Sequence, residues 1–93
     1  MMDWTTAVCQ RAIDTWGKCP QLIICMEEMA ELTKELSKNL RGQDNDLAIA
    51  EEVADVEIML EQLKLIFNIR TDVECVKNDK LIRLDRRIKG ARA

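Results

Sequence analysis

Two stretches of this chain place apolar residues at alternating spacings of four and three, one on each side of a short polar segment. The first is Leu22, Met26, Met29, Thr33, Leu36 and Leu40; the second is Ile49, Val53, Val56, Leu60, Leu63 and Phe67. That spacing draws a seam along one side of an α-helix. Only Arg41-Gly42-Gln43-Asp44-Asn45 separates the two, and so short a connection makes the helices antiparallel neighbours. Each would hold about 20 residues and measure roughly 30 Å.

The remaining punctuation adds two more helices. A first helix is expected from Asp3 to Trp16, with Gly17 just past its end. The second is expected to open with Pro20, whose missing N–H suits the first helical position, and to reach Leu40. Asp44 or Asp46 would cap the third, which runs to Ile69. Thr71-x-x-Glu74 reads as a capping box opening the fourth, and Gly90 as its end. Three Gly, one Pro and 3% aromatic residues leave little for strands or turns. The expected fold is therefore all-α: a four-helix antiparallel bundle-type unit, one domain over residues 1–93. A chain this short buries a modest fraction of its surface. Ile58 and Ile82 lie off the main seams, so a homodimer or homotetramer, a dimer of dimers, is expected.

Composition removes several function classes. There is no His, which excludes Ser-His-Asp and Cys-His catalysis and every His-containing metal site. A formal net charge of −3 supplies no general basic footprint for nucleic acid. No apolar run is long enough to span a bilayer. Cys9, Cys19, Cys25 and Cys75 include no C-x-x-C pair. With no basic and apolar leader at the N-terminus, they read as reduced, mostly buried thiols of a cytoplasmic protein.

The chemistry-bearing feature is acidic and mirrored. Glu27-Glu28-Met29-Ala30-Glu31 lies on the second helix and Glu51-Glu52-Val53-Ala54-Asp55 on the third. Glu28 with Glu31, and Glu52 with Asp55, are i, i+3 carboxylate pairs on one helix side, where like charges repel. In an antiparallel pair, residues at equal height have numbers with a constant total. Glu28 with Asp55, Glu31 with Glu52, and Ile24 with Met59 share the total of 83, whose midpoint falls at the polar loop. Four carboxylates thus meet at one level, where their mutual repulsion calls for cations. An all-oxygen donor set suits Mg²⁺, or Mn²⁺, better than Zn²⁺. The plain alternative is a solvated acidic surface. Glu27 and Glu51 point away from the ligand side, and Glu35 either orients a water or pairs with Lys34 or Lys38. Ile24, Met59 and Gln21 form either a base pocket or ordinary core. On the fourth helix, Val73, Val76, Leu84 and Ile88 mark a buried stripe, with Lys80 in its middle and Lys77, Arg83 and Arg87 beside it. Lys80 either snorkels to water or reaches the acidic level and anions held there.

These residues resemble the MazG-like all-α nucleoside triphosphate pyrophosphohydrolases, specifically the short single-domain members. The resemblance rests on Glu27-Glu28-x-x-Glu31 and Glu51-Glu52-x-x-Asp55. Trp16-Gly17, Gln21, Arg41 and the run Lys80-Leu81-x-Arg83-Leu84-x-x-Arg87-Ile88 add to it. It implies Mg²⁺ held by Glu28, Glu31, Glu52 and Asp55, and hydrolysis of a (d)NTP to the (d)NMP and pyrophosphate. Lys77, Lys80 and Arg83 would then bind phosphate. Phosphoribosyl-ATP pyrophosphohydrolases, with similar acidic pairs and length, make phosphoribosyl-ATP a competing substrate. The other alternative is a non-catalytic acidic helical dimerisation module. Nucleic acid and membrane are not expected as partners.

Overall fold

The computed structural model describes residues 2–92. They form four helices, α1 (Trp4–Trp16), α2 (Lys18–Leu40), α3 (Asp46–Ile66) and α4 (Arg70–Arg92), with no strand among them. No helix is long and apolar enough to cross a membrane.

Local chemistry sets the boundaries. Asp3 caps α1, its carboxylate accepting from the Thr6 N–H at 2.7 Å. Gly17 alone joins α1 to α2. Its N–H donates to Ile13 O at 2.8 Å, and its carbonyl accepts from the Gln21 N–H. Its φ of 92° explains the glycine. Helix α2 therefore opens at Lys18, and Pro20 is its third residue rather than its first. The ring is still tolerated there, because the first four N–H groups of a helix have no intrahelical acceptor.

The start of α3 also departs from expectation. Neither Asp44 nor Asp46 is the cap; Asn45 holds that position without capping by its side chain. Its Nδ2 turns instead to α2, donating to Glu35 O at 2.9 Å and Glu35 Oε1 at 3.0 Å. The end of α3 comes three residues early. Asn68 takes a left-handed φ of 53°, Ile69 N–H donates to Lys64 O, and Asn68 N–H donates to Leu65 O. This is a Schellman turn with Asn in the place glycine usually takes. Helix α4 begins directly after it, so Thr71 is the second helical residue and not an N-cap, and the helix continues through Gly90.

Helices α2 and α3 form the main antiparallel pair, with α1 packed on both. The stripes that face each other are one residue away from the apolar seams. On α2 the inward positions are Gln21, Cys25, Glu28, Leu32 and Glu35; on α3 they are Ala48, Glu52, Met59, Gln62 and Ile66. A one-residue shift turns a helix surface by about 100°. Met26, Met29, Leu36 and Leu40 on α2, and Val53 and Leu60 on α3, are therefore exposed in the single chain. Cys9, Cys25 and Met59 are the buried apolar side chains, and the Cys9 thiol contacts Ile58 O at 3.8 Å. The cysteines are all free, two buried and two exposed.

The expected four-helix unit does not close within one chain. Helix α4 packs against α3 alone, tethered by Arg70 Nη2 on Glu61 Oε2 at 2.9 Å. None of its residues is buried, so its expected buried stripe is open to solvent at Val76, Leu84 and Ile88. The result is elongated, 50 × 35 × 22 Å. Its radius of gyration is 16.5 Å, where a compact chain of this length has about 12 Å.

Candidate metal centre

The acidic level sits midway along the α2–α3 pair. Glu28 projects from α2, and Glu52 and Asp55 from α3, each offering one carboxylate oxygen within 4.8 Å of the others. Helical spacing puts Glu52 and Asp55 on neighbouring turns, and the antiparallel register brings Glu28 opposite Asp55. Glu28 and Glu52 are half-buried and Asp55 is exposed. Glu31 is exposed and outside this group of three, though its charge acts on both Glu28 and Glu52.

The electrostatics are uncompensated. Burial first, then a hydrogen bond to Asp55, then the charges of Asp55, Glu52 and Glu31 push the Glu28 carboxyl above its ordinary value. Burial likewise pushes Glu52 up, with Asp55, Glu31, Glu35 and Glu51 adding to it. Neither Glu28 nor Glu52 makes an ion pair among the described residues. Glu52 Oε2 is buried and has no hydrogen-bond partner among the described residues. A buried carboxylate oxygen without a donor is costly in water-free surroundings, and a hard cation is one way to satisfy it. Glu28, Glu52 and Asp55 have the hard oxygen donors such an ion takes.

Other candidates divide differently. Glu27 and Glu51 are exposed, as expected. Glu35 pairs with Lys38 at 3.0 Å and with Asn45, which holds its carboxyl low. Gln21 is buried and donates from Nε2 to Gln62 Oε1 at 2.6 Å, while Gln21 Oε1 has no partner among the described residues. Gln62 is absent from the sequence-based candidates, although it shares the hairpin register with Gln21. Lys77, Lys80 and Arg83 stand on α4, all exposed. Lys77 lies 3.8 Å from Glu74; Lys80 and Arg83 have no ion pair among the described residues. Lys80 instead borders a shallow apolar groove with Ile69, Val73 and Val76.

Comparison with known proteins finds no matching family model, no similar curated protein and no similar solved structure.

Proposed function

We propose that Glu28, Glu52 and Asp55, with Glu31 beside them, bind Mg²⁺, and that the protein is a Mg²⁺-dependent nucleoside triphosphate pyrophosphohydrolase. The observation that carries this reading is the meeting of three carboxylates from two helices, with no ion pair and with one buried oxygen unpartnered among the described residues. Glu28, Glu52 and Asp55 would hold Mg²⁺, whose charge would supply electrophilic assistance to a phosphate and acidify a water. The chain's own groups supply the rest. A cluster carboxylate serves as proton acceptor better than Glu35, because Lys38 and Asn45 stabilise the ionised form of Glu35. Lys77, Lys80 and Arg83 provide charge for the pyrophosphate that leaves.

Two measurements test the proposal. Mg²⁺ or Mn²⁺ binding to the native state should raise the melting temperature with concentration. A panel of ribo- and deoxyribonucleoside triphosphates plus phosphoribosyl-ATP should show pyrophosphate release from at least one. The competing reading, an acidic module without catalysis, is favoured by α4, which packs on α3 alone and keeps Lys77, Lys80 and Arg83 exposed; it expects neither response.

A further inference from the structure

We propose that the C-terminal half of α4 is a docking surface for double-stranded DNA, holding the phosphodiester backbone without reading sequence. The whole-chain charge of −3 conceals two parts of opposite sign. Residues 80–92 hold six basic residues and one acidic, a net +5, and the rest of the chain is left with −8. The missing basic footprint is thus a property of the average, whereas a nucleic-acid surface depends on where the charges sit. Helix α4 displays its charge openly. None of its residues is buried, it packs on α3 alone, and its one hydrogen bond to another helix among the described residues is made by Arg70. Lys89 pairs with Asp85 at 2.9 Å. Lys80, Arg83, Arg86, Arg87 and Arg92 are exposed and have no ion pair among the described residues. Lys80, Arg83 and Arg87 follow one another at spacings of three and four, so they line one side of the helix, and Arg86 adjoins Arg83. Like charges set so close are mildly unfavourable in a helix, and a polyanion offsets that repulsion.

The chemistry of the helix selects among polyanions. Helix α4 has no aromatic residue, so it lacks the platform on which proteins of single strands stack unpaired bases. The major groove of B-DNA admits an α-helix between two walls of phosphate, whereas that of an RNA duplex is too narrow. An anionic membrane is a broad plane, which would meet the −8 of the remaining chain as well as the basic helix. A DNA duplex is a rod that can engage the helix alone, and contacts to its phosphates carry no sequence information. If the function proposed above holds, Lys80 and Arg83 serve a triphosphate and the duplex in turn; the DNA surface itself does not rest on that reading.

Fluorescence anisotropy of a labelled DNA duplex of about 20 base pairs tests the surface with the full chain and without any activity assay. The parent should bind two duplexes of unrelated sequence equally well, in the micromolar range that phosphate contacts support. Between about 50 and 200 mM salt, log K should fall against log salt with a slope of about −3.6, the value for four neutralised phosphates. Arg86→Gln with Arg87→Gln leaves Lys77, Lys80 and Arg83 in place. It should weaken binding at least about tenfold at the lower salt and halve the slope to about −1.8. Glutamine suits a helix interior, and circular dichroism checks the fold; if that variant is unfolded, Arg83→Gln with Arg87→Gln replaces it and should show the same loss. No binding of either duplex at about 100 µM protein in the lower salt overturns the proposal. So does a folded variant with the parent's affinity and slope, or tighter binding to a single strand of the same length. Tighter binding to vesicles containing phosphatidylserine than to the duplex also overturns it, since the partner would then be a membrane.

Discussion

Gln21 and Gln62 join α2 to α3 through a buried hydrogen bond of 2.6 Å between their side-chain amides. Their numbers share the total of Glu28 and Asp55, so the same register places the amide pair two turns from the acidic level. An apolar interface is tolerant of slippage, whereas a buried amide pair is satisfied in one alignment. Gln62→Leu should cost about 1–3 kcal/mol in urea unfolding, because it leaves Gln21 buried with no partner for either polar atom. The double variant, Gln21→Leu with Gln62→Leu, should recover most of that loss. A double variant worse than the single one would show that the pair adds stability beyond mutual satisfaction.

The acidic level makes the metal-free protein sensitive to pH in an unusual direction. Glu28 and Glu52 have raised carboxyl values in the folded state, so the folded chain binds more protons than the unfolded one. Stability of the metal-free protein should therefore rise as pH falls from neutral toward the ordinary value of 4.5. Below that, Glu61 and Glu35, held low by Arg70 and Lys38, lose their stabilising charge and stability should fall. Mg²⁺ competes with those protons, so its stabilising effect should be larger at pH 7 than at pH 5. Melting curves at both values, with and without the ion, measure this; a Mg²⁺ effect independent of pH contradicts it.

Removing one of the repelling acids should separate stability from catalysis. Glu52→Gln keeps the volume and removes a charge from a half-buried place. At pH 7 without metal it should melt at or above the parent temperature. Its response to Mg²⁺ should be lost, and triphosphate turnover should drop by orders of magnitude. Turnover near the parent level would remove Glu52 from the site.

The register of the hairpin was legible because two separate signals, the polar loop and the mirrored acids, point to one alignment. Gln62 was within reach of the same arithmetic. The facing stripes were not, because periodicity finds the most apolar stripe, and here most of that stripe is exposed. Glutamine, cysteine and glutamate hold most of the inward positions instead, beside Leu32, Ala48, Met59 and Ile66. The Asn68 turn was missed because asparagine is a weaker signal of left-handed backbone than glycine. The packing of α4 on α3 alone depends on tertiary structure, and capping patterns such as Thr71-x-x-Glu74 carry no information about that.

The Asn68 turn sets where α4 leaves the body, and its conformation is testable. Asn68→Gly should be neutral or mildly stabilising, since glycine adopts a φ of 53° freely. Asn68→Val should cost about 1–2 kcal/mol, the penalty of left-handed backbone for a residue with a crowded Cβ. Equal stability of the two variants would mean that the turn can rearrange without loss.

Lys80 separates an enzyme from a module most directly. It stands exposed beside Ile69, Val73 and Val76, with no carboxylate within ion-pair reach among the described residues. Lys80→Met would extend that apolar groove and break no ion pair, so the melting temperature of the metal-free protein should hold or rise. If the ammonium serves phosphate, kcat/KM for the triphosphate should fall through a higher KM or a lower kcat. If Lys80 instead neutralises the acidic centre of an assembled dimer, the same variant should melt lower without metal, and Mg²⁺ should restore it. The expected result is unchanged or higher stability with impaired turnover. A variant unchanged in both melting and kinetics would withdraw Lys80 from any role in phosphate binding.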